Sequence, residues 1–106
     1  MVSEDDLVKY ALTLEGVSER RDGGMRIFSR GEKIYLVVEE GTAPLRIETR
    51  CDRALSKTLQ ERYESVMESR ALGRNGIEII CSGQLTEEEI KDLVRHSYEI
   101  SAPEEE

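Results

Sequence analysis

The chain reads as an α+β domain, a two-layer α/β sandwich in which helices cover one face of a mainly antiparallel five-stranded sheet. Three observations predict this. Apolar residues recur at three- and four-residue spacing in three segments, each with a capping residue at its start. The segments between them mostly alternate apolar and polar residues, as half-buried strands do. The links inside each group of strands are too short for a crossover, so neighbouring strands run antiparallel. The expected order is α-β-β-β-α-β-β-α, with the other face of the sheet left open. All of it fits one domain, residues 1–102 of 106, followed by an acidic tail over 103–106 that is expected to be disordered.

The first helix starts at Ser3, with Asp6 three residues on and Glu4 and Asp5 in the first turn. Leu7, Tyr10, Ala11 and Leu14 form its apolar stripe, and Glu15-Gly16 ends it. Residues 17–24, with Arg20-Arg21-Asp22-Gly23-Gly24, read as a loop. No helix or Lys-Ser/Thr pair follows the two glycines, so they do not make a phosphate loop. Met25 to Ser29 alternates as a strand, with Arg26 and Phe28 on one side and Met25 and Ile27 on the other. Arg30-Gly31 turns into Lys33–Glu39, where Ile34, Leu36 and Val38 line one face and Tyr35 and Val37 the other. A strand apolar on both faces is central, and its second face is a place for a partner. Leu45 to Arg50 alternates again after the turn at residues 40–44.

Asp52 caps the second helix, whose inner stripe is Leu55, Leu59 and Tyr63, flanked by Ala54 and Arg62. Val66 to Leu72 reads as a strand, and Gly73-Arg74-Asn75-Gly76 as a hairpin turn leading into Ile77–Cys81. The third helix has the fullest start signal. Thr86 and Glu89 make a capping box, Leu85 and Ile90 a hydrophobic staple, and Ile90, Leu93, Val94 and Ser97 one packed face.

The net charge is −8, which opposes a whole-molecule attraction to nucleic acid. Its distribution is uneven. From Thr86 onward eight acids face two bases, whereas from Arg20 to Arg74 twelve bases face nine acids. The open sheet face is therefore expected to be mildly basic and to carry Arg26, Phe28, Arg30, Arg46, Glu48, Arg50, Arg70 and Glu78. Several of these arginines could meet phosphates, with Phe28 as a stacking group, or could form cross-strand ion pairs on a solvated face.

Catalytic chemistry finds little support. His96 is the only histidine, near a helix end where the dipole favours it, and Ser97 beside it points elsewhere. Cys51 and Cys81 share no ligand spacing and read as reduced core thiols. Glu88 and Asp92 supply two cation ligands at most, too few for a hard metal ion. No cofactor is implied and an enzyme is not expected. No apolar run approaches the length of a membrane helix and the start of the chain carries no secretion signal, so the cytoplasm is the expected location and no membrane partner is expected.

Several short motifs together resemble the MmcQ/YjbR family of small bacterial proteins. Cys51-Asp52 opens the second helix and Arg62-Tyr63 closes it; Gly83 and Leu85 precede an acidic helix start. Ser97-Tyr98-Glu99-Ile100 is similar to the family's Ser-Tyr-Asp-Leu ending, and Leu14-Glu15-Gly16-Val17-Ser18-Glu19 to its Leu-Pro-Gly-Val-Thr-Glu. The resemblance implies a fold similar to type III secretion chaperones and the family's usual label, DNA binding. The chain departs from the family at the turn before the last strand, where Asn-Lys-Arg-His-Trp is replaced by residues 72–76 and only Arg74 survives. The family's Phe-Pro-Phe/Trp-Gly segment is replaced by Arg20-Arg21-Asp22-Gly23. Two readings follow. One is a DNA-binding protein contacting phosphates through Arg26, Arg46, Arg50, Arg70 and Arg74. The other is an acidic protein–protein adaptor or chaperone-like homodimer using the open sheet and the doubly apolar strand.

Overall fold

The computed structural model describes residues 2–103, so the expectation of a disordered tail falls mostly on residues outside the described ones. The elements are α1 (Glu4–Leu12), β1 (Val17–Asp22), β2 (Met25–Arg30), β3 (Lys33–Glu39), β4 (Leu45–Arg50), α2 (Arg53–Arg62), β5 (Val66–Ser69), β6 (Gly73–Cys81) and α3 (Glu87–Ile100). The sheet is antiparallel throughout, in the order β1-β2-β3-β4-β6-β5. The α+β class holds, but there are six strands rather than five.

Each helix starts at the side chain its sequence nominated. Ser3 Oγ accepts the Asp6 N–H at 3.1 Å and Asp52 Oδ1 accepts the Ala54 N–H at 3.2 Å. At α3 the capping box is complete: Thr86 Oγ1 accepts from Glu89 N at 3.1 Å, and Glu89 Oε1 accepts from Thr86 N at 2.9 Å.

The extra strand is β1, where the sequence suggests a loop. It is an edge strand held to β2 by backbone bonds in the register Val17↔Arg30 to Asp22↔Met25. Its residues are mostly exposed, so it needs no apolar alternation and shows none. Gly23 and Gly24, both at positive φ, make the two-residue turn between β1 and β2.

The last hairpin also turns elsewhere. Residues 70–72, not 73–76, form the turn, and β5 ends at Ser69. Ser69 Oγ accepts the Leu72 N–H at 2.9 Å and Gly73 takes the left-handed conformation, φ 63°. Arg74, Asn75 and Gly76 are thereby part of β6, where Gly76 pairs with Arg50. A Cβ at Gly76 would lie 2.7 Å from Leu72 Cβ and 2.8 Å from the Thr49 carbonyl oxygen, so that glycine lets strand and turn close together.

The core lies between the helices and one face of the sheet. Leu7, Val8 and Ala11 of α1 and Ile90, Leu93 and Val94 of α3 meet Phe28, Leu36, Val38, Ile47, Ile77, Ile79 and Val66. Cross-strand partners share a face, so Arg26 and Phe28 belong to this side with Val38 and Leu36. The expected faces of β2 are therefore inverted: Phe28 is fully buried in the core and is not a stacking group on the open face.

A bulge in β3 changes its parity. Phe28 pairs with Leu36 but Ser29 pairs with Ile34, which leaves Tyr35 as the extra residue. Tyr35 and Leu36 both enter the core, where the Tyr35 hydroxyl donates to the Ala11 carbonyl at 3.0 Å. The ladder between β3 and β4 stops at Leu36↔Thr49. Beyond it, Ser97 of α3 bridges the strands: its Oγ accepts the Arg50 N–H at 2.8 Å and donates to the Tyr35 carbonyl at 2.5 Å.

Candidate functional site: the open sheet face and the cleft beside it

The register places one row of side chains across the face away from the core: Arg20, Ile27, Val37, Glu48, Glu78 and Met67. Ile27 and Val37 are buried there and stand apart from the helix-covered core. The doubly apolar strand therefore offers no exposed apolar patch. Among the described residues, the exposed large apolar side chains are Leu12 and Ile100, both on helices.

The centre of the row is two carboxylates, Glu48 and Glu78, directly opposite each other and 7% and 2% exposed. Like charges in that position repel, and buried charge needs partners. Arg70 Nε lies 3.1 Å and Arg46 Nη1 3.6 Å from the Glu78 carboxylate. The hydrogen bond to Glu78 and its charge hold the Arg70 guanidinium above its ordinary pKa, and Glu48 and Glu39 add to this. Glu48 Oε1 accepts Ser69 Oγ–H at 2.7 Å and Ala71 N–H at 2.9 Å, which ties the β5–β6 turn to the middle of the sheet. Arg46 and Arg70 thus balance the face rather than make it basic.

The remaining arginines expected there are scattered. Arg26 faces the helix side, where its Nε lies 2.6 Å from Glu19 and Nη1 4.0 Å from Glu4. Its pKa is raised, first by the hydrogen bond to Glu19. Arg30 also turns toward the helices. It stacks 4.0 Å over the Tyr98 ring and donates to the Tyr98 carbonyl at 2.9 Å. Arg50 Nε donates to the Ile34 carbonyl at 2.6 Å, beside the bulge. Alternation misplaces Arg26 and Arg30 because the faces of β2 are exchanged; Arg50 lies on β4, whose faces alternate as expected, and its guanidinium is taken up by the Ile34 carbonyl.

Arg74 stands apart and has company. It lines a cleft of about 460 Å³ with Arg53, Ser56, Lys57, Gln60 and Glu61 of α2. Arg53 and Lys57 are four residues apart and share one helix face, one turn or about 6 Å apart. Among the described residues, none of Arg53, Lys57 and Arg74 has a carboxylate oxygen within 4.0 Å. Three cations against one carboxylate make this cleft locally positive. The signal for Arg53 and Lys57 was present in their spacing, but nothing in the sequence joins them to Arg74.

The other reactive groups serve the fold. Burial pushes the thiols of Cys51 and Cys81 up to about 11, with the Asp52 charge adding to it at Cys51. Both stay protonated near neutral pH. His96 Nε2 accepts the Asp52 N–H at 3.4 Å, so it faces the start of α2. Among the described residues no three metal-ligating side chains converge, and no helix is long and apolar enough to cross a membrane.

No family model and no curated protein matches the chain. Its fold does match solved structures. The crystal structure of Deinococcus radiodurans protein DR2400, which carries the domain of unknown function DUF419, superposes with a TM-score of 0.87 at 21% identity, covering 94% of this chain and 78% of that one. A Pseudomonas syringae protein solved by a structural-genomics consortium gives 0.78 at 14% identity, covering 95% and 100%. At these identities the likeness is one of fold.

Proposed function

We propose that this chain is a non-enzymatic nucleic-acid-binding module of the MmcQ/YjbR type, and that its contact surface is the cleft between α2 and the β5–β6 hairpin. The observation that carries the proposal is the convergence of Arg53, Lys57 and Arg74 without carboxylate partners. The fold shared with a DUF419 protein and the family-like motifs of the sequence support the MmcQ/YjbR part of this reading. The open sheet face is the weaker site, because its central arginines, Arg46 and Arg70, are paired with Glu78. Phosphate contacts from Arg and Lys supply sequence-independent affinity, which the chain's overall −8 keeps low.

Fluorescence anisotropy with a labelled 20-mer duplex tests this. Three phosphate contacts give a slope of log affinity on log salt of about −2.7, a roughly fortyfold loss between 50 and 200 mM salt. Arg53→Ala, Lys57→Ala and Arg74→Ala should each weaken binding, and Arg46→Ala should not. No binding at low salt, or equal loss on Arg46→Ala, overturns the proposal.

A further inference from the structure

We propose that the groove between α2 and α3 seats a short helical segment of a partner protein, one with leucine-sized side chains along one face and lysine or arginine beside them. The two helices rest on different strands, α2 on β5 and β6 and α3 on β3 and β4. Between them lies a cavity of about 280 Å³. Leu55 and Leu59 of α2 form one wall and are only half-buried; Leu85 and Leu93, already buried in the core, form the floor. Leu55 and Leu59 give a helix face something to bury, the usual basis of helix-in-groove docking.

The rim selects the partner's charge. Glu89 and Asp92 line the α3 side together with His96, and α3 itself carries five acids against Lys91 and Arg95. Among the described residues Asp92 has no cation within 4.0 Å, so its charge is available to a partner. A second copy of this chain fits poorly. Its α1 and α3 begin with three acids each, and the leucines of its α2 already belong to the groove. The occupant is therefore a basic, amphipathic segment of another protein, at a site separate from the α2–hairpin cleft.

The test uses a labelled 16-residue peptide with Leu at helical spacing and Lys on the flanks. One control peptide replaces every Leu with Ser at the same charge, and another replaces Lys with Glu. The Leu–Lys peptide should bind at least about tenfold more tightly than either control, a difference of ~1.4 kcal/mol. Leu59→Ser and the surface change Asp92→Lys should each weaken it about tenfold with the circular dichroism unchanged, and Arg74→Ala should leave it alone. Equal binding of the serine peptide, or indifference to Asp92→Lys, overturns the proposal. Self-association abolished by Leu59→Ser would also overturn it, by making a second copy the occupant.

Discussion

Replacing Ser97 with alanine removes one hydroxyl and leaves two backbone groups without partners. The Ser97 hydroxyl is fully buried and stands where the β3 bulge has parted the strands, between the Arg50 N–H and the Tyr35 carbonyl. No neighbouring strand can replace it, because the β3–β4 ladder has already ended at Leu36↔Thr49. An unsatisfied buried donor or acceptor costs about 1–3 kcal/mol. Arg50 is only half-buried, so water can partly serve its N–H, and the expected loss for Ser97→Ala is about 2–4 kcal/mol. At ~4–8 °C per kcal/mol for a domain of this size, the midpoint should fall by about 10–25 °C. Urea unfolding followed by circular dichroism should show the loss as a lower midpoint with an unchanged slope. Ser101→Ala is the control: its hydroxyl donates to the Ser97 carbonyl, which also accepts the Ser101 N–H, so about 1 kcal/mol is expected. A Ser97→Ala protein within about 0.5 kcal/mol of the parent would refute the bridging role, since that is the range of ordinary surface substitutions.

Phe28→Ala should destabilise by about 3–5 kcal/mol as a core deletion, whereas a Phe on a solvated sheet face would change stability by less than about 0.5 kcal/mol. Thr86→Ala should cost about 1 kcal/mol in thermal or urea unfolding by removing half the capping box. Backbone and side-chain hydrogen bonds at Thr86 lower the Glu89 pKa, so this carboxylate's contribution is present above its unfolded pKa and lost as pH falls through its folded one. An acid titration of Glu89→Gln should lack that part of the pH dependence. The two thiols favour the folded protein below their ordinary pKa of 9.0, and that contribution is lost as pH rises through about 11. Iodoacetamide labelling of the native protein should keep rising toward about pH 11 and become fast at pH 9 only in denaturant; a native plateau near pH 9 would contradict the burial.

Elements with strong local signals were legible in the sequence. The caps at Ser3, Asp52 and Thr86 work through neighbouring residues, so the sequence alone locates them. β1 was invisible because its stability lies in backbone bonds to β2, which any side-chain sequence can make. The faces of β2 were misassigned for a related reason. Ile27 and Phe28 are both buried, and alternation cannot say which of two apolar neighbours meets the helices. The bulge at Tyr35 is a pairing property of two strands and leaves no mark in one. Asn75-Gly76 resembles a turn, but Ser69 and Glu48 bind the backbone of residues 71 and 72 first and move the turn upstream. The candidate site was half legible: Arg74 was identified, while its neighbours Arg53 and Lys57 come together with it only in three dimensions.

The strands that close the sheet have a consequence for behaviour in concentrated solution. One rim is β1, with Arg20, Arg21 and Asp22; the other is β5, four residues long and cut off by its turn. A charged rim and a short rim are poor templates for growth by added strands, which is how sheets polymerise into fibrils. The chain should therefore remain free of thioflavin-positive aggregate under conditions where it stays folded. The same two rims offer little backbone to a partner that would dock by adding a strand.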